Sequence, residues 1–212
     1  MRTMDSIAKK IEDRISSWER GKVFFISDFA DLGTADVVRQ TLNRLTKTGL
    51  IIRPGRGVYC YPKETSAALR QIGLGDYVEP TTDEIAEAIA ERDRSRIVPH
   101  AAYAQYQLGL TQQIPMNVVY LTDGSGRKVP MGKGHGISFL HTSDMRLFAY
   151  SNKLMQLIVI SMKGVESGEL TEQEQATIAG HLRKVCKEDF DKDIKLAPER
   201  VRVMLQKLYE VH

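Results

Sequence analysis

The sequence predicts an α+β protein: an N-terminal winged helix-turn-helix followed by a mixed domain with a small β-sheet and a helical C-terminus. Three observations predict it. Residues 22–61 run in the order short apolar strand, short helix, turn, longer amphipathic helix and two-stranded hairpin. Residues 116–141 carry strand-like runs separated by glycine-rich turns. Two C-terminal stretches, 171–187 and 198–209, have helical periodicity, the first opening on a capping box of Thr171 and Glu174.

Each N-terminal element has a local cause. Met4, Ile7, Ile11, Ile15 and Trp18 recur at steps of three and four, so residues 4–19 read as a helix with one apolar stripe. Trp18 continues that stripe and belongs to the core; Lys9, Lys10 and Arg14 lie off it, within reach of backbone phosphates. Ser27 is a good N-cap for the short helix. Gly33 would let the chain leave it through a positive φ. Thr34 caps the next helix, where Val38, Leu42 and Leu45 form the apolar face, and Gly49 stops it. Pro54-Gly55 suits the centre of a type II turn between strands starting at Leu50 and ending at Tyr61. Arg53 and Arg56 then flank the tip of a wing.

The polar face of the long helix points to duplex DNA. Gln40, Asn43, Arg44 and Lys47 share one face opposite Val38, Leu42 and Leu45, while Thr34, Asp36 and Arg39 crowd the N-terminal end. In a helix-turn-helix such N-terminal residues reach base edges, and Arg and Lys further along meet phosphates. A lone helix of this kind is more often a solvated face; the turn before it and the basic wing after it tip the balance to nucleic acid. Charge agrees. Residues 1–62 hold 11 Lys and Arg against 7 Asp and Glu, whereas the remainder holds 19 against 20, so the positive excess behind the net +3 lies in the N-terminal third.

After Pro62 the pattern changes, which divides the chain into a winged helix-turn-helix over 1–62, a linker over 63–79, in which 64–74 fits a short helix or linker, and a second domain over 80–212. In that domain Pro80 starts a helix with Ile85 and Ile89 inside, and Pro99 opens another to about Leu108. A strand spans 116–122 and ends at the turn Asp123-Gly-Ser-Gly126. Two more strands, 127–131 and 136–141, surround Gly132-Lys-Gly-His-Gly136; residues 152–163 fit a helix or a buried strand.

No catalytic or metal-binding constellation stands out. The glycine-rich 132–136 loop lacks the ending of a phosphate loop and reads as a strand connection. The five histidines are scattered, and Asp191-Lys-Asp193 lacks the glycine-serine signature of a nucleotidyltransferase, so it reads as a solvated charge run. Cys60 and Cys186 give no disulfide or metal pattern and read as small buried hydrophobes. The expectation is no catalytic residue, no metal and no cofactor. No apolar run reaches the ~20 residues of a membrane span and no signal peptide is legible, which predicts a cytoplasmic protein without a membrane partner.

The chain also resembles the AbiEi-like antitoxin family, the DNA-binding half of type IV toxin–antitoxin pairs. The resemblance covers about residues 4–150. Its N-terminal part rests on Arg20-Gly-Lys-Val-Phe24, Asp28-Phe29, Leu42-Asn-Arg-Leu45, Gly49-Leu-Ile51 and Arg56-Gly-Val-Tyr59. More specific are Ile85-Ala-Glu-Ala-Ile-Ala90, Leu108-Gly-Leu110, Gln113-Ile-Pro115 and Val119-Tyr-Leu-Thr-Asp-Gly124. It implies a regulator that represses its own operon, with double-stranded DNA and a cognate nucleotidyltransferase-like toxin as partners. A nucleic-acid-processing enzyme targeted by the winged helix, or a protein-interaction module, are the rival classes.

Overall fold

The computed structural model describes residues 2–73, 75–165 and 170–210. The chain is α+β and divides into two units, one formed by residues 1–92 with 129–135, the other by 93–128 with 136–212. The first unit opens with α1 (Arg2–Ser16), β1 (Val23–Phe24) and a 3-10 turn at Ile26–Phe29, and α2 (Ala35–Lys47) follows. Ile11 and Ile15 of α1 and Val38 and Leu42 of α2 have no exposed surface, and their core includes Phe24, Phe29 and Tyr59. Trp18 packs on it, its ring 5.1 Å from Phe24 and 5.5 Å from Phe29.

Two capping expectations change. Ser27 lies inside the 3-10 turn rather than before it; the bond that closes the turn runs from the Phe25 N–H to Asp28 Oδ2, 2.9 Å. Gly33 has no positive φ. A Cβ there would stand 3.4 Å from Ile7 Cγ2, an ordinary van der Waals contact, so neither φ nor space demands glycine at this position. Gly49 behaves as expected. With φ +78° it ends α2 in a Schellman motif, its N–H donating to Thr46 O and the Leu50 N–H to Leu45 O.

The wing is β2 (Ile52–Gly55) and β3 (Val58–Cys60), in a sheet of order β1-β3-β2. Its tip is Arg56-Gly57, not Pro54-Gly55: Gly55 pairs with Val58, and Gly57 takes the positive φ of +77°. Gly55 serves a different purpose. A Cβ on it would meet Met131 Sδ at 2.7 Å and Pro130 O at 3.0 Å, so glycine is required by a neighbour rather than by the turn.

The expected linker is structured. β4 (Lys63–Glu64) pairs antiparallel with β5 (Tyr77–Val78) around α3 (Ala67–Gln71). Then α4 (Thr82–Arg92), capped by a reciprocal Thr81–Glu84 pair, buries Ile85, Ala86, Ile89 and Ala90. It packs on β1, with the Arg92 guanidinium 4.2 Å from the Phe25 ring. Burial of α4 against the winged core is why the division falls after residue 92 rather than over 63–79.

In the second unit β6 (Ile97–Pro99) precedes α5 (Ala101–Gln107) and β7 (Asn117–Thr122). Next come β8 (Arg127–Pro130), whose last two residues belong to the first unit, and β9 (Gly136–His141). The sheet order is β6-β7-β9-β8, with β7 and β9 parallel from Asn117↔Gly136 to Thr122↔His141. Residues 152–163 resolve as helix: α6 (Lys153–Lys163) starts on Asn152, whose side chain accepts from the Leu154 and Met155 N–H groups. The helix expected over 171–187 is shorter, α7 (Glu172–Leu182), and keeps its Thr171–Glu174 capping box. α8 (Lys187–Asp193) and α9 (Glu199–Glu210) complete the chain around Met155, Ile158, Leu182, Phe190 and Leu205.

Asp193 is not part of a solvated run. It is fully buried and accepts from the N–H and hydroxyl of Ser151 and from the Asn152 N–H, at 2.8–3.0 Å. Among the described residues no helix is long and apolar enough to cross a membrane.

Candidate nucleic-acid interface

The α2 helix presents its polar residues because its apolar ones are fixed inward. Val38 and Leu42 are fully buried and Leu45 nearly so, which leaves Gln40, Asn43, Arg44 and Lys47 exposed on the other side. Arg44 and Lys47 carry no ion pair to any described residue. Both lie in the last turn, where they also complement the helix dipole, as Asp36 does in the first. Thr34 holds the N-cap position in extended conformation, but its hydroxyl makes no capping bond and stays exposed. Arg39 is tied to Asp36 at 2.5 Å, which offsets its charge locally.

At the wing, Arg56 sits on the tip itself and is exposed, with its backbone N–H donating to Pro130 O at 3.2 Å. Arg53 lies on β2 rather than beside the tip, its guanidinium 5.7 Å from the Tyr59 ring centroid. All nine sequence-selected positions (Thr34, Asp36, Arg39, Gln40, Asn43, Arg44, Lys47, Arg53 and Arg56) are therefore exposed in the winged unit.

Two of the α1 cations, Lys9 and Arg14, are engaged elsewhere. Lys9 pairs with Asp13 at 3.0 Å, and Arg14 forms two bonds to Asp31, 2.7 and 2.6 Å, plus one to Asp28 O at 2.9 Å. The Arg14 guanidinium holds the Asp31 carboxyl below the usual carboxylate range. Arg14 is thus a strut between α1 and the turn before α2 rather than a free phosphate contact.

Two basic features were not selected from sequence. A depression of about 510 Å³ is lined by Trp18, Arg20, Lys22 and Lys63. Lys22 Nζ stands 4.4 Å over the Trp18 ring, while Arg20 stacks on Tyr61 at 4.8 Å and pairs with Glu64 at 2.9 Å. The tripeptide Arg20-Gly-Lys22 was its signal. The second is the segment 129–135, which reaches the wing through an antiparallel bridge from Met131 to Gly55. Its glycine-rich signal was legible, but its place beside the wing depends on a contact remote in sequence.

Among the described residues no group of three or more His, Cys, Asp or Glu could hold a metal ion. Burial pushes the Cys60 thiol up to about 11, while Cys186, expected to be buried, is exposed at the start of α8.

The chain belongs to DUF6088, a family of unknown function whose profile matches residues 10–190. That span takes in parts of both units. No curated protein matches the chain.

Proposed function

We propose that this DUF6088 chain is a duplex-DNA-binding transcriptional regulator, and that it serves as the antitoxin of a type IV toxin–antitoxin operon. One observation carries the DNA reading: the exposed face of α2 holds Gln40, Asn43 and two cations without ion pairs, and the same unit presents Arg56 on the wing tip. Amide side chains can pair bidentately with adenine edges, and unpaired cations suit phosphates, whose contacts release counterions. The antitoxin reading rests on the AbiEi-like motifs. Of these, Val119-Tyr-Leu-Thr-Asp-Gly124 forms most of β7 and its turn.

Fluorescence anisotropy with a duplex from upstream of the gene tests the first claim. Arg44→Ala and Lys47→Ala should each weaken binding to any duplex and reduce the salt slope by about one phosphate contact. Parent-like binding by both would remove α2 as the reader. Co-expression with the adjacent gene, scored by growth, tests the second. The full-length Arg44→Ala/Lys47→Ala protein should lose repression yet still protect; loss of both together would overturn the division of labour.

A further inference from the structure

We propose that the loop 131–135 is a second nucleic-acid contact, a basic flap laid along β2 of the wing that meets the phosphate backbone of a duplex on the Arg53 side of the tip. It rests on the duplex-binding reading and extends it to residues outside the helix-turn-helix. The flap is attached at two points. Met131 bridges Gly55 in antiparallel sense, and the Arg56 N–H donates to Pro130 O at 3.2 Å. Gly55 has no room for a side chain against Met131 Sδ, and a Cβ on Gly132 would come within 4.0 Å of Pro54 O, so the two layers lie in close contact. The loop is closed by its own bonds, Met131 N–H to His135 O at 2.9 Å and His135 N–H to Gly132 O at 3.3 Å.

Covering the open edge of β2 would need only the bridge at Met131. The residues beyond it do something else. Gly132, Gly134 and His135 are exposed, Gly134 takes φ +78° with nothing within 4 Å of where a Cβ would sit, and Lys133 stands between the glycines. No Asp or Glu occurs from residue 124 to residue 143. A glycine-rich, cationic turn lets backbone approach a phosphate closely while a lysine adds charge. The antiparallel register, Pro130 against Arg56, Met131 against Gly55 and Gly132 against Pro54, carries that turn back along β2 toward exposed Arg53.

The test is anisotropy of the full chain on the upstream duplex across a potassium chloride series. Lys133→Glu should lower affinity about tenfold and flatten the salt slope by about one, with Lys133→Gln shifting both less in the same direction. Lys187→Glu, at an exposed position of α8, makes the same charge change elsewhere and should bind like the parent. If Lys133→Glu melts early, the Gln variant decides. Unchanged binding by the Lys133 variants, while Arg44→Ala and Lys47→Ala weaken it, overturns the flap and leaves the function standing. An equal loss in Lys133→Glu and Lys187→Glu reduces the effect to net charge and also overturns it. A parent without salt-dependent binding overturns the flap and the duplex reading together.

Discussion

Arg44 and Lys47 of α2 and Arg56 at the wing tip stand differently from the cations along the sheet of the second unit. There, Arg96 clamps Asp123 at 2.7 Å, Arg127 pairs with Asp93, and Asp144 takes both Arg146 at 2.9 Å and Lys163 at 3.3 Å. Those ions fasten loops. Asp123, bonded by the backbone N–H and then the side chain of Arg96, keeps a carboxyl below the usual range. Its contribution is present above the ordinary carboxylate pKa and is lost only as pH falls through the lowered value. Arg44, Lys47 and Arg56 have no such partner among the described residues. Pairing thus separates cations used for architecture from cations left available.

That contrast can be broken experimentally. Arg56→Glu should cost the largest effect, on the order of a hundredfold in duplex affinity at low salt, with melting unchanged because exposed turn residues rarely shift stability by more than about 0.5 kcal/mol. Unchanged affinity would remove the wing from the interface. Asp193→Ala should do the reverse. Stranding the Ser151 and Asn152 donors should cost about 1–3 kcal/mol in a denaturant melt while DNA affinity stays parental.

Gln40→Ala and Asn43→Ala should lower discrimination between operator and random duplex by roughly 1–3 kcal/mol each if they read bases; equal discrimination would confine α2 to phosphates. Arg39→Ala should be milder. Its exposed pair with Asp36 is worth about 0–1 kcal/mol, so a loss as large as that of Arg44→Ala would show the pair opens on binding. Smallest of all is a labelling contrast. At pH 8 iodoacetamide should modify exposed Cys186 and leave Cys60, whose thiol lies at about 11, intact in the folded protein.

Local signals in the sequence were read well where a single element decides the outcome. The α2 helix, with its inward Val38, Leu42 and Leu45 and its Gly49 stop, follows from periodicity and one positive φ. The nine surface positions were legible for the same reason, since burying one face exposes the other. Failures came from distant neighbours. Pro54-Gly55 carries a stronger turn signal than Arg56-Gly57, yet Gly55 is spoken for by Met131. Residues 63–92 look like a linker and a new start, but α4 spends its apolar face on β1 of the winged core. Asp193 looks solvated beside Asp191 and Lys192; only the loop at Ser151 makes its burial tolerable.

The discontinuity of the first unit also sets an order of events during synthesis. A ribosome finishes the helix-turn-helix and hairpin early, but residues 129–135 emerge only after more than half of the 212-residue chain has been made. Until then the outer edge of β2 is open at Gly55, a ready template for another strand. Translation that stalls before Met131 therefore releases α2 with an unfinished wing, and the complete winged unit exists only in chains that have already begun the second unit's sheet.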